Sequence, residues 1–419
     1  MKRALLGADE WFARNKVPPP WPGRPVRIDG SVTYVRDTPA TRTDAEPALY
    51  VHGLGGSAQN WTDLAGLLAD RLDGQAIDLP GFGFSDPGRS YTIAAFADRV
   101  VRYIEHSGRG PVHLFGNSLG GAISVRVAGL RPDLIRTLTL ISPAMPFLDP
   151  RRSLQGRLLP LLAVPGAERL ASRWLTQLSP EETARQVMEA CVADIGRICD
   201  QRRQEAIDEI RIRYTAEHYA AAYLRTLRGL VGSFVRAYLP GAGSLWRIAG
   251  LVTAPTLVIG GRQDRLVDIR VAPQVARRIP DSRLLILDGV GHVAQLEVPR
   301  TVARAAVALL DETAQQGEGV AAADPQGARA RGAVAPTGRG VAAAARRKAE
   351  AAARRTLAAA GRRKVEAVTR KVEAVTRKVE AVGWKKVEVP TGTKIEAPTG
   401  EVAPVARDLR ASYSRATAY

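Results

Sequence analysis

The chain has 419 residues, 45% of them hydrophobic, and a formal charge of +18, so it can bury a full-sized core and still leave a long segment outside it. The charge is uneven: residues 325–419 carry 21 basic and 8 acidic side chains, against 39 and 34 in residues 1–324. This distribution argues against a globally basic nucleic-acid-binding domain, whose footprint would lie on the folded body.

Residues 1–23 read as an N-terminal surface extension, a short helix stopped by the proline-rich run KVPPPWP. This stretch lacks the sustained apolar run of a signal peptide, and no later stretch has the length and apolarity of a membrane span, so the cytoplasm is the expected location. From Arg24 the pattern turns strand-like, with a hairpin signal at Asp29-Gly30 and then the strand ALYVHG. A helix over 61–72, the strand GQAIDLP, the loop PGFGFSDPG and a helix over 91–106 follow. PVHLFG and TLTLISPA are apolar strands of the kind buried in a parallel sheet, separated by the helix of GNSLGGAISVRVAGL. Repeated strand, loop, helix order marks an α/β sheet with helices on both faces, whose first part spans 24–141. Residues 142–252 interrupt it with helical patterns and read as an inserted cap. The second part, 253–313, supplies the strands APTLVIGG and SRLLILDG and a last helix near 297–312.

Residues 314–419 change character, being rich in Ala, Gly, Pro, Arg and Lys and poor in aromatics. Such composition buries too little to offset ordering entropy. Three heptad-like units at 364–384 place Val365, Val368, Val372, Val375, Val379 and Val382 along one seam, with i,i+4 pairs such as Glu366 and Arg370. This short, weak seam leaves disorder with transient helix, weak self-association, or tethering to an anionic surface or nucleic acid as readings of the tail.

The chemistry concentrates at Gly116-Asn117-Ser118-Leu119-Gly120. A G-x-S-x-G segment between an apolar strand and a helix is the setting of a nucleophile elbow, in which Ser118 projects from the sheet edge at a helix N-terminus. The bland alternative is a serine that caps the helix. A hydroxyl at its ordinary pKa needs a base and an orienting acid. His292, just beyond LLILDG, and Asp264, just beyond TLVIGG, lie in loops at the same end of successive strands. Asp268 and Asp288 are weaker choices for the acid. Backbone amides of Leu54 and Leu119 are the expected oxyanion donors, with His52, Gly53, Gly55 and Gly56 shaping the first loop and Gly116, Asn117 and Gly120 the elbow. The HGLGG loop lacks the glycine order and lysine of a nucleotide-phosphate loop, and Asp78 reads as a turn-former. Cys191 and Cys199 are too few for a disulfide framework or a multi-cysteine metal site, which suits a reducing compartment. No cofactor or metal is expected.

HGLGG, DLPGFGFSD, GNSLGG, GGRQDRLV and GVGHVAQLEVP together resemble the α/β-hydrolase family with a helical lid, over about residues 24–312. The resemblance implies an eight-stranded, mostly parallel sheet, Ser118 as nucleophile, His292 as base, Asp264 as its acid, and Leu54 and Leu119 as oxyanion amides. Some members use an aspartate nucleophile; Ser118 favours acyl chemistry with a small-molecule ester and water as reactants. A ring-cleavage carbon–carbon hydrolase, a lactonase, a thioesterase and a non-enzymatic, tail-tethered binding protein stay open. In the cap, Trp174, Tyr214, Tyr219, Tyr223, Phe234 and Trp246 are candidates for cap core or pocket wall. Arg211, Arg213, Arg225 and Arg228 read as solvated surface.

Overall fold

In the computed structural model, the described residues are 1–7, 18–147, 178–237 and 244–323. Those up to residue 312 fall in one compact unit; 313–323 belong to a second and continue the last helix. Residues 8–17 of the expected N-terminal helix, the patterns at 148–177 with Trp174, and the tail repeats at 364–384 lie outside the described residues.

Nine strands form one sheet: β1 (Lys2–Arg3), β2 (Gly23–Ile28), β3 (Ser31–Thr38), β4 (Glu46–Val51), β5 (Leu72–Ile77), β6 (Val112–Asn117), β7 (Ile135–Ile141), β8 (Thr256–Gly261) and β9 (Ser282–Leu287), in the order β1-β9-β8-β7-β6-β4-β5-β3-β2. Only β3 runs antiparallel to its neighbours β2 and β5. β2 to β9 are the eight expected strands. The ninth is a correction to the reading of 1–23 as a surface extension: β1 pairs parallel with β9 through Lys2 and Arg3, too short a strand to show alternation. The β2–β3 turn has positive φ at both Asp29 and Gly30, as a tight hairpin requires.

Side chains alternate between two cores, one per face. Leu49 and Val51 of β4 and Leu114 of β6 join one; Ala48, Tyr50 and Phe115 join the other. The first is covered by α2 (Ile93–Ser107) and α3 (Leu119–Leu130), through residues such as Phe96 and Ile123. The second is covered by α1 (Thr62–Leu67) and by the final helix, through Leu64 and Val302.

Between β7 and β8 the described chain is helical: α4 (Pro180–Cys191), α5 (Asp200–Tyr214), α6 (Tyr219–Arg236) and α7 (Leu245–Ala249). Ser179 caps α4 by accepting from Glu182 N at 3.1 Å, with Pro180 in the first turn. The helices break after Cys191 and at Thr215, where the Thr215 hydroxyl turns back onto Ile212 O at 2.7 Å. The chain closes with α8 (Val271–Arg278), the single turn α9 (Ala294–Glu297) and α10 (Pro299–Ala323). No described helix is long and apolar enough to cross a membrane.

From β4 the chain moves to β5 on one side and then to β6 on the other. The loops that leave the carboxyl ends of β4 and β6 therefore flank a switch point, the usual position of a ligand crevice in an open α/β sheet. α3 reaches this crevice by packing closely on β4: a Cβ on Gly120 would lie 2.2 Å from Val51 O and 2.6 Å from His52 O. Gly120→Ala must push helix and strand apart and is expected to cost about 2 kcal/mol or more, measured as a shift in the denaturant midpoint against wild type.

Candidate active site

Ser118 sits between β6 and α3 with φ 53 and ψ −116, a conformation that a non-glycine residue adopts only under constraint. The constraint is visible. Ser118 N donates to Ile141 O at 3.0 Å, and Ser118 O accepts from Ala122 N and Ala144 N at 3.1 and 2.8 Å. A Cβ on Gly116 would meet Ser124 Oγ at 2.5 Å and Gly120 O at 2.6 Å, so both flanking glycines of the pentapeptide are sterically required. Ser118 is held at the mouth of a helix, where first-turn amides favour developing negative charge.

Asp264 follows β8 and His292 follows β9. Their side chains meet, His292 Nδ1 lying 2.8 Å from Asp264 Oδ2. The other oxygen, Asp264 Oδ1, accepts from Leu266 N and Val267 N at 2.8 and 2.9 Å. Burial raises the Asp264 pKa, but the His292 charge and hydrogen bond and the two amides outweigh it, holding the carboxyl below its ordinary value. The competing acids are committed elsewhere: Asp268 pairs with Arg270 and Asp288 with Arg262.

The loop after β4 closes over Ser118. A Cβ on Gly53 would lie 3.1 Å from that of Ser118, and Gly55, at φ 73, packs under Tyr223. Gly56 N bonds Gly53 O at 3.1 Å and closes the turn. Among the described residues, neither Leu54 N nor Leu119 N donates to a protein acceptor. His52 braces the loop from below: Nε2 accepts from Leu79 N at 2.9 Å, which leaves the Nδ1 proton for Gly53 O at 2.7 Å. Burial lowers its pKa to about 4, so it stays neutral. Asp78 accepts from Ala58 N and Phe84 N and forms the turn expected of it, with burial raising its pKa to about 6.

Ser118, His292, Leu54 and Asn117 line one cavity of about 670 Å³. Its apolar wall is mainly aliphatic, with Met188, Ile198, Ile210, Leu266 and Leu296 beside the indole of Trp21. The described cap aromatics do not form it. Tyr219, Tyr223, Phe234 and Trp246 pack on the core, and Tyr214 bonds Thr183 at 2.6 Å. Arg213, expected on the solvated surface, is instead buried at the cavity wall, paired with Glu209 and stacked on Tyr219. Arg211 is half-exposed as expected and pairs with Glu181 and Asp208. Cys191 and Cys199 are free thiols that line the cavity, and burial pushes the Cys191 thiol up to about 12. Among the described residues no cluster of His, Cys, Asp and Glu is arranged to hold a metal ion.

Two residues fix the His292 loop: Asn117, already expected to shape the elbow, and Glu297, which the sequence did not single out. Asn117 Nδ2 bridges Ile141 O and His292 O, each at 3.1 Å. Glu297, whose side chain is fully buried, accepts from Gly291 N at 2.8 Å, Asp194 N at 3.1 Å and Ala193 N at 3.2 Å. His292 N itself donates to Cys191 O at 2.6 Å. The end of α4 and the His292 loop are thus one hydrogen-bonded unit. The acidic residue in GHVAQLEVP signals this only through its place five residues past the histidine.

The sequence of residues 48–305 matches the model of the alpha/beta hydrolase family, and the chain belongs to that family of hydrolase-type enzymes. It is 28% identical over 257 residues to the dihydrolipoyllysine-residue acetyltransferase component of the acetoin cleaving system of Cupriavidus necator, covering 60% of this chain and 60% of that protein. The chain thus spans less than two thirds of that relative's length. It is 28% identical over 262 residues to monoacylglycerol lipase abhd6-B of Xenopus laevis, covering 61% of this chain and 72% of the relative. The fold is similar to a meta-cleavage product hydrolase from Pseudomonas fluorescens, with TM-score 0.55, 17% identity, 70% of this chain and 98% of that one covered.

Glu297→Gln replaces a carboxylate that faces several N–H donors with an amide that presents one of its own. A loss of about 1–3 kcal/mol is expected, read from the denaturant midpoint, together with faster hydrogen exchange at Gly291, Ala193 and Asp194.

Proposed function

We propose that the chain is a serine hydrolase that cleaves a carboxylic ester through an acyl-enzyme intermediate. The observation that carries this reading is that His292, paired with Asp264, lines the same cavity as a serine held at positive φ between strand and helix. Ser118 Oγ attacks the ester carbonyl carbon while His292 Nε2 takes its proton. Asp264, kept ionised by its amides and by His292, fixes the imidazole with Nδ1 protonated and offsets the charge it acquires. The carbonyl oxygen becomes an oxyanion that accepts from Leu54 N and Leu119 N, backed by the N-terminus of α3. As the tetrahedral species collapses, the carbon–oxygen bond to the leaving group breaks and His292 returns the proton to the departing alcohol. Water then repeats the sequence, with His292 as base, and releases the acid and free Ser118. The monoacylglycerol lipase relative supports an ester substrate.

On a panel of p-nitrophenyl esters, Ser118→Ala is expected to lower kcat by about 10³-fold or more, and Asp264→Asn by a comparable factor through the wrong imidazole tautomer. Equal turnover by wild type and Ser118→Ala overturns the assignment. Hydrolysis of a ring-cleavage dienone with no ester turnover would move it to carbon–carbon bonds.

A further inference from the structure

The segment that leads into β2 contributes to the cavity through Pro18 and Trp21. One side of the cavity follows a single face of the Ala58–Trp61 turn and α1, where Gly56, Asn60, Asp63 and Leu67 recur at three- and four-residue spacing. That stripe begins in the loop beside Ser118 and ends roughly 15–20 Å further along the helical rise. Trp21 stands at its far end: a Cβ on Gly66 would lie 3.1 Å from the indole Cζ2.

The indole is fixed there. Trp21 Nε1 donates to Thr62 O at 2.8 Å, and Arg36 donates to Trp21 O at 2.5 Å. Pro18 O accepts from Arg202 of α5 at 2.7 Å, and the same guanidinium forks onto Asp63 of α1 at 2.6 and 3.0 Å. Arg202 also pairs with Glu205, and all three side chains are more than four-fifths buried. A charged substrate group at this end would have to break an ion cluster that already satisfies itself, leaving a buried charge unpaired. An apolar chain end resting on the indole breaks nothing.

We propose that Trp21 sets the acyl chain length of the substrate: a straight acyl chain about as long as the α1 stripe runs along it from Ser118, and its methyl end stops against the indole. This rests on the serine-hydrolase reading and names the substrate class of the same site. Trp21 acts by exclusion and takes no part in the chemistry.

The test uses the full chain and a ladder of p-nitrophenyl alkylphosphonates from methyl to hexadecyl, which acylate-mimic Ser118 by forming a Ser118 Oγ–phosphorus bond and releasing p-nitrophenolate. The second-order labelling rate, located at Ser118 by mass spectrometry, is the readout. Wild type should label fastest with the chain whose methyl end just reaches the indole and fall sharply beyond it. Trp21→Ala should raise the rate with the first disfavoured chain about tenfold, the scale on which an apolar pocket discriminates added methylenes, while methyl stays within about twofold. Trp21→Phe, which keeps an apolar ring in place, should move the limit part of the way and guards against a folding defect in the alanine variant. An unchanged chain profile in both variants, with Ser118 still labelled, overturns the role of Trp21 alone. Failure of every phosphonate to label Ser118 in wild type overturns the serine-hydrolase reading and this proposal with it.

Discussion

The strained backbone at Ser118 is the constraint on which the site depends. A serine at φ 53 costs on the order of 1–3 kcal/mol, and the surroundings must hold it there. They do so by bringing a helix and two strands closer than side chains would permit. Gly116 and Gly120 remove the atoms that would collide with Ser124, Val51 and His52, and the carbonyls of Ser118 and Ile141 take up the displaced hydrogen bonds. The consequence is geometric: the hydroxyl leaves the sheet at its carboxyl edge, next to the Leu54 loop and opposite the loops that follow β8 and β9. Parallel strand direction puts all four loops on one edge, so four segments distant in sequence can supply one small site.

The cap enters the same arrangement through backbone hydrogen bonds as well as through apolar packing. Cys191 O accepts from His292 N, and Glu297 bridges Gly291 to Ala193 and Asp194. The His292 loop is therefore placed by the end of a cap helix as much as by the sheet. At the other end of the cavity Arg202 ties α5 to α1 and to the N-terminal segment. The cap is fastened both at the candidate base and at the far wall, and between those fastenings lies the apolar space a substrate would occupy.

The strands and their parallel order were legible, and the three candidate side chains could be picked out, because their signals are local: an apolar run, a glycine pair around a serine, an acid or histidine just past a strand. What was not legible depends on partners far apart in the chain. Asn117 reaches His292 across 175 positions, and Glu297 reaches Ala193 across 104. The ninth strand has two residues and no alternation to read. Trp21 follows three prolines in a segment with every mark of a surface extension, and only the contact with Gly66 makes it a cavity wall. Arg213 looked like surface because helical spacing alone does not say which charged residue finds a buried partner in Glu209 and a ring in Tyr219.

Burial near the site sorts the ionisable groups into those free to act and those held in one state. His52 is kept neutral by burial and by accepting from Leu79 N, so the loop carrying Leu54 bears no positive charge beneath it. Asp78 is shifted toward its protonated form and spends both oxygens on backbone amides. Arg202 and Arg213 are neutralised within the cap by Glu205 and Glu209. Asp264 is the exception that burial would protonate and its neighbours do not allow: two amides and the imidazole hold it ionised. A positive charge on His292 therefore has a fixed counter-charge at 2.8 Å inside a low-dielectric wall. There a carboxylate fixed before the imidazole takes up a proton would offset the new charge without reorganising the protein.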